Sequence, residues 1–152
     1  MIKRQIIEAS TKNLAALHRF ELLCFTHPVD VFNPRQLRHL ITSPTSITLV
    51  AIEGNEAIAE VIGLLRHFTI PSGRVYKIAV HPKLRGEGMG TRLLEAIEKQ
   101  FRQAGMPGSC AEIRVSNAPS RKLFEKNGYV LTRIMKPYYL DGEDGAKYWH
   151  KL

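Results

Sequence analysis

Cysteine is scarce, with only Cys24 and Cys110 in 152 residues. Two cysteines build neither a disulfide framework nor a thiolate metal cluster. Both stand among apolar residues and are expected to be buried thiols. The six histidines include no pair at H-x-x-x-H spacing, so no metal site is expected. No apolar run approaches the roughly 20 residues that a membrane span requires. The opening Met1-Ile2-Lys3-Arg4-Gln5 lacks the apolar core of a signal peptide. Reducing, cytoplasmic surroundings and no membrane are therefore the default expectation. Repeats, low-complexity tracts and linkers are also missing. Residues 1–152 are expected to form one domain, long enough for a proper core.

Acid is in short supply relative to base: 14 Asp and Glu against 22 Lys and Arg, a formal net charge of +8. Such a balance favours anionic partners, among them a nucleic acid, a phosphorylated cofactor or an acidic peptide. Yet no run of five basic residues occurs, and Glu53, Glu56 and Glu60 interrupt the middle of the chain. The charge reads as solvated surface plus one phosphate site, not as a nucleic-acid face.

Periodicity predicts alternating strands and helices. Residues 3–8 read as a strand. Ser10 caps a helix from Thr11 to about Phe25, which His27-Pro28 ends. Asn33 caps a second helix from Pro34 to Ile41. Ile47–Ile52 and Ala57–Arg66 flank Gly54-Asn55 as a hairpin. Arg74–Val80 is a fourth strand, followed by a long amphipathic helix from about Gly88 to Ala104, with Leu93, Leu94, Ile97 and Phe101 as its stripe. Cys110–Val115 is a fifth strand, parallel to the fourth because a helix joins them. Asn117-Ala118-Pro119 opens a helix that Asn127-Gly128 closes, and Tyr129–Lys136 and Lys147–Leu152 complete the set. The expected fold is α/β: a mixed, mostly antiparallel, seven-stranded sheet with about four helices and a central parallel β-α-β unit.

The most informative stretch is Arg85-Gly86-Glu87-Gly88-Met89-Gly90-Thr91. It lies between a strand and a helix, preceded by His81-Pro82. The N–H groups of a helix start lack intrahelical partners, and the dipole adds positive potential there. Glycines let an anion approach the backbone. Its third glycine comes one residue too early for a dinucleotide fingerprint, and Gly90-Thr91 lacks the lysine of a nucleotide-triphosphate loop.

R-G-x-G-x-G in this context resembles the acetyl-CoA pyrophosphate loop of the GNAT acetyltransferase superfamily. Glu112-Ile113-Arg114-Val115-Ser116-Asn117 through Leu123-Phe124-Glu125-Lys126-Asn127-Gly128-Tyr129 resembles that superfamily's pantetheine-gripping segment. Tyr138-Tyr139-Leu140-Asp141-Gly142-Glu143-Asp144 is similar to a hairpin of the N-terminal-amine acetyltransferases. Cys24-Phe25-Thr26-His27-Pro28 is similar to a turn of the ribosomal-protein alanine acetyltransferases. The resemblance spans nearly the whole chain.

It implies a GNAT fold and acetyl-CoA as cosubstrate, with an amine acceptor, a protein N-terminus by preference. A lysine side chain, a small-molecule amine, or a CoA-binding sensor or partner module with weak catalysis remain alternatives. Arg85, Gly86, Glu87, Gly88, Met89, Gly90 and Thr91 would wrap the pyrophosphate. If the fourth and fifth strands splay after Val80, as the resemblance implies, Ile78, Ala79 and Val80 would offer backbone to the pantetheine, with the Val80 N–H as oxyanion donor. Asn117 would bond the pantetheine chain, and Arg121 and Lys126 would reach the 3′-phosphate or stand as plain solvated charges.

Glu112 falls at the general-base position; the alternative is a surface glutamate paired with Arg114 or Lys77. Phe124 replaces the family's usual tyrosine, whose hydroxyl protonates the departing thiolate. Either the thiolate leaves unaided, or Tyr138 or Tyr139 supplies the proton, or the protein acetylates poorly. Loops 26–34 and 138–145, with His27, Tyr138 and Tyr139, would form the acceptor groove. Aromatic pairing on a strand is the alternative for the two tyrosines.

Overall fold

The computed structural model describes residues 4–152. Its strands are β1 (Ile6–Glu8), β2 (Ser46–Glu53), β3 (Glu56–Arg66), β4 (Ser72–Val80), β5 (Gly108–Arg114), β6 (Val130–Met135) and β7 (Gly145–Lys151). Its helices are α1 (Leu14–Cys24), α2 (Pro34–Thr42), α3 (Met89–Gln103) and α4 (Ala118–Lys126). The seven strands form one sheet in the order β1-β2-β3-β4-β5-β7-β6. Every pair is antiparallel except β4 with β5. The expected parallel β-α-β unit sits at the centre, with α3 as its crossover. Lys3 of the expected first strand lies outside the described residues.

Two cores lie on opposite faces of the sheet. On one face, Leu93, Leu94, Ile97 and Phe101 of α3 pack with Val61, Val75, Ala111 and Ile113, joined by Phe124 of α4. The Phe101 ring rests where Cβ atoms on Gly63 and Gly73 would stand 2.7 and 2.3 Å from it. Two neighbouring glycines in β3 and β4 thus admit the helix close to the sheet. On the other face, Leu17 and Phe20 of α1 and Leu37 of α2 pack with Val50 and Ala57.

Local sequence sets the helix ends. Asn33 Oδ1 accepts from the Gln36 N–H at 2.8 Å, and Gln36 Oε1 accepts from the Asn33 N–H at 2.9 Å, a reciprocal capping box. The first helix begins three residues later than its apolar pattern suggests, because Thr11–Asn13 form a 3₁₀ turn in which Asn13 Oδ1 accepts from the Ser10 N–H at 2.9 Å. Strand β4 starts at Ser72 and β7 at Gly145, each two residues before the expected strand. Their first residues pair with Arg66 and Arg114, and pairing of this kind depends on the neighbouring strand rather than on local propensity. No described helix is long and apolar enough to cross a membrane.

Candidate active site

The parallel pairing of β4 and β5 is short. It runs from Gly73↔Ser109 through Arg74↔Cys110 to Val75↔Ala111 and stops. Each strand then follows its outer neighbour: β4 stays with β3 to Ala59↔Val80, and β5 stays with β7 to Arg114↔Gly145. The sheet opens as a wedge five residues earlier than the expected point after Val80. A cleft of about 290 Å³ fills the wedge, lined among others by Tyr76, Lys77, Ile78, Glu112, Asn117 and Phe124.

Backbone pairing decides what the cleft wall offers. The His81 N–H bonds the Ile58 carbonyl at 2.8 Å, so Ala59↔Val80 is a non-hydrogen-bonded pair. By alternation, Ile78 is placed like Val80, and both turn their N–H and C=O away from β3 toward the cleft. Ala79, one residue between, exchanges its bonds with Glu60 instead. The Val80 carbonyl accepts from Arg85 Nε at 3.3 Å, which folds Arg85 back beneath the loop. The Val80 N–H remains.

The glycine loop leads from this edge into α3. Gly86 and Gly88 both have φ of +84°, a region that costs other residues strain. A Cβ at either would meet nothing within 4 Å, so these two glycines serve backbone conformation and an open face. Gly90 differs: a Cβ there would stand 3.0 Å from Leu123, so it lets α3 and α4 touch. Thr91 Oγ1 accepts from Asn127 Nδ2 at 3.2 Å, tying the same two ends together. Glu87, the one acid in the loop, has its carboxylate 3.9 Å from the Arg4 guanidinium. Met89 is buried. With the first-turn N–H groups of α3 unpaired inside the helix, this end of the wedge suits an anion.

On the opposite wall, Glu112 Oε2 lies 2.8 Å from Arg74 Nη2, the two side chains being 11% and 16% exposed. The Tyr138 hydroxyl donates to the same Oε2, and this bond raises the Tyr138 phenol above its ordinary value. Both partners occupy one oxygen, Oε2, and neither bonds Oε1. The alternative pairing of Glu112 with Arg114 or Lys77 is corrected. Arg114 binds Asp141 and Glu143 at 2.8 and 3.1 Å, and Lys77 binds Glu21. Arg74 was not singled out in the sequence, because only the parallel register brings residue 74 beside residue 112.

Tyr138 and Tyr139 sit in the loop before β7, not on a strand, with rings edge to face at 5.0 Å. The Tyr139 hydroxyl donates to the Glu112 carbonyl at 3.4 Å, and the Arg114 guanidinium lies 4.2 Å from its ring centre. Across from them, His27 begins a 3₁₀ turn, Pro28–Asp30. A cavity of about 720 Å³ between the two loops is lined by His27, Val29, Asp30, Arg114, Tyr139 and Leu140, among others.

The helix that follows β5 contributes Asn117 and Phe124. Asn117 Oδ1 caps α4 by accepting from the Ser120 N–H at 3.2 Å, which leaves its Nδ2. Phe124 is 1% exposed and packs edge-on to Tyr129 at 4.8 Å. Arg121 Nε donates to the Tyr148 hydroxyl at 2.9 Å, and its Nη1 to the Val115 carbonyl at 3.1 Å, so much of that guanidinium faces the sheet. Lys126 is exposed in the last turn. Trp149 lies over Gly108, where a Cβ would stand 2.1 Å from the indole.

Behind the cleft lies a buried cluster that sequence reasoning missed. Glu21 of α1 and Glu60 of β3 are both 0% exposed. Lys77 Nζ donates to Glu21 Oε1 at 2.7 Å and to the Asp30 carbonyl at 2.5 Å. It also stands 4.1 and 3.6 Å from the ring centres of Phe25 and Phe32. Glu21 Oε1 accepts from the Phe32 N–H at 2.8 Å as well. One lysine cannot neutralise two buried carboxylates. Burial, then the neighbouring Glu21, pushes Glu60 well above the ordinary carboxyl range. The signal was available: Glu60 interrupts an otherwise apolar strand, Ala57–Leu65, and Glu21 sits beside Phe20 on the inner side of α1. Burial pushes the nearby Cys24 thiol up to about 11, which keeps it protonated and inert. Cys24 is half-buried rather than buried; Cys110 is buried.

Glu60 has a pH signature. Its folded-state pKa lies above the unfolded value, so the folded state holds the proton longer. Stability is then fully present below the unfolded value near 4.5 and falls as pH rises through the folded one. Glu60→Gln should therefore gain stability relative to wild type as pH rises, with a slope of at most about 1.4 kcal/mol per pH unit. Denaturant unfolding at several pH values tests this; a difference that stays flat from pH 4 to 8 would mean that Glu60 ionises normally.

Residues 14–129 match the family model described as "Acetyltransferase (GNAT) family". An N-alpha-acetyltransferase of Sulfurisphaera tokodaii is 37% identical over 76 residues, covering 49% of this chain and 46% of that protein. The chain spans between about half and three fifths of the length of the leading archaeal relatives. A Bacillus subtilis protein provisionally named ribosomal protein bS18-alanine N-acetyltransferase is 30% identical over 136 residues, covering 88% of this chain and 85% of that protein. The crystal structure of Ard1 from Thermoplasma volcanium shares the fold, with a TM-score of 0.83 at 20% identity and coverage of 99% of both chains. With the wedge between β4 and β5 and the glycine loop that closes it, these matches show that the chain belongs to the GNAT acetyltransferase family.

Proposed function

We propose that the protein transfers acetyl from acetyl-CoA to an amine, with a protein N-terminal α-amine as the preferred acceptor. The observation that carries this reading is the wedge. Ile78, Glu112 and Asn117 line one cleft where β4 and β5 part, and β4 runs on through Val80 toward the anion-suited loop from Arg85 to Thr91, which supports this reading. The names of the Sulfurisphaera and Bacillus relatives support the choice of acceptor.

The residues divide the task as follows. The loop amides hold the pyrophosphate, and Ile78 with Asn117 holds the pantetheine amides. The Val80 N–H meets the oxygen of the reacting carbonyl, where negative charge develops. The acceptor arrives partly as ammonium, since an α-amine titrates near pH 8. Glu112 Oε1, directly or through a water, removes its proton. Arg74 and Tyr138 hold the other oxygen and so fix the carboxylate's orientation. The amine nitrogen forms a bond to the acetyl carbon, the carbon–sulfur bond breaks, and CoA departs as thiolate. A thiol near pKa 8.5 leaves without assistance, which accommodates Phe124 in place of a phenol. Tyr138 is an alternative proton source, although its proton is already engaged by Glu112.

Phe124→Tyr is expected to retain or raise kcat, since the ring lines the cleft and the added hydroxyl restores the phenol that the family resemblance implies at this position. A loss of tenfold or more would show that the site needs the bare ring. Phe124 also favours a second reading, a CoA-binding module with residual chemistry. Thiol release from acetyl-CoA, measured side by side with N-terminal peptides, lysine peptides and polyamines, separates the two and ranks the acceptors. No release with any acceptor, alongside intact CoA binding, would overturn the enzyme reading.

A further inference from the structure

A second pocket adjoins the cleft. It holds about 380 Å³ between α2 and β4 and is lined by Phe32, Arg35, Gln36, His39, Leu40 and Tyr76. Tyr76 also lines the catalytic cleft. The two spaces therefore share one ring as a wall. The wall is firm. Tyr76 stacks on Phe32 with ring centres 5.6 Å apart and 24° between planes. Its other side lies 5.3 Å from the Arg74 guanidinium, and Lys77 holds Phe32 from behind at 3.6 Å.

The pocket's charge is of one sign. No carboxylate lines it. Arg35 and His39 are exposed at its rim, and neither forms an ion pair among the described residues. Gln36 turns its Oε1 back to cap Asn33, so it presents no competing acceptor there. Of the carboxylates on neighbouring elements, Glu112 is engaged by Arg74 and Glu21 by Lys77, while Asp30 lines the cleft rather than this pocket. An apolar, aromatic-walled pocket with the unpaired Arg35 guanidinium and the His39 imidazole at its mouth fits a side chain with a methylene stem and an anionic tip.

We propose that this pocket is a specificity subsite that takes an acidic side chain, glutamate or aspartate, a few residues downstream of the acceptor amine. The proposal rests on the peptide-acceptor reading above. An extended acceptor advances about 3.3 Å per residue, so with its amine in the cleft at Glu112 a later residue passes Tyr76, which lines that cleft and the pocket alike. Charge complementarity of this kind sets partner choice and encounter rate.

The test uses alanine-initiated peptides that differ only at residues three to five, with glutamate, glutamine or lysine there. Acetylation is read as kcat/KM, and binding as fluorescence anisotropy of labelled peptides in the presence of CoA. The glutamate peptide should exceed the lysine peptide by about three- to tenfold, the effect of one or two partly exposed ion pairs, and the preference should shrink with salt. In R35E/H39E the order should invert, with CoA affinity as the folding control. Equal kcat/KM for all peptides, or an unaltered order in that variant, overturns the subsite and leaves the acetyltransferase reading intact. Binding that favours glutamate and needs Arg35 and His39, without acetyl transfer, supports the subsite and overturns the proposed reaction. Neither transfer nor selective binding overturns both.

Discussion

Glu112→Gln is expected to lower kcat by roughly 10²- to 10⁴-fold, the usual contribution of a positioned general base, while affinity for acetyl-CoA stays near wild type. Glutamine keeps the shape and accepts a bond from Arg74 or Tyr138, but it takes no proton from an ammonium. The substitution also removes the charge that answers Arg74, and the two side chains are 11% and 16% exposed, so some destabilisation accompanies it. Arg74→Gln separates these effects, because it frees the carboxylate from its ion pair without removing it. A fall in kcat confined to the Glu112 variant marks the base. An equal fall in both marks the ion pair as a positioning element. Wild-type-like kinetics for Glu112→Gln across pH would remove the residue from the mechanism.

Lys77→Met is expected to cost about 3–5 kcal/mol of stability at neutral pH, the usual result of leaving a buried carboxylate without its partner. Glu21 is 0% exposed and takes its ion pair from Lys77 at 2.7 Å. Among the described residues Lys77 is the only cation paired with Glu21, so no second one is at hand. Denaturant midpoints at unchanged slope measure the loss. Glu21→Gln combined with Lys77→Met should recover much of it, because two neutral groups bury at lower cost than one unpaired charge. A loss below about 1 kcal/mol in the single variant would mean that water reaches Glu21. The same lysine bonds the Asp30 carbonyl, so the variant should also raise KM for the acceptor more than KM for acetyl-CoA.

These two predictions draw on residues of different legibility. The loop Arg85–Thr91, the helix cap at Asn117 and the strand carrying Glu112 are read from local pattern: glycines where a helix begins, asparagine at an N-cap, an acid in an apolar strand. Arg74 and the Glu21–Glu60–Lys77 cluster are not. Residue 74 meets residue 112 through a parallel register that exists only once β4 and β5 lie side by side. Glu21 and Lys77 are 56 residues apart and meet because α1 packs across β3 and β4. Polar groups inside apolar runs announce that a partner exists, since burial without one is costly; they do not say which residue it is.

The order and kind of the elements, the parallel crossover and the anion-suited turn follow from local pattern alone, because periodicity, capping and glycine conformations act over a few residues. Tertiary structure decided where the sheet opens: after Val75 and Ala111, not after Val80. It also decided which oxygen of Glu112 is free and which ring joins the cleft to the pocket beside it. Those outcomes depend on strand register and on side chains distant in the chain, and neither is encoded within any single segment.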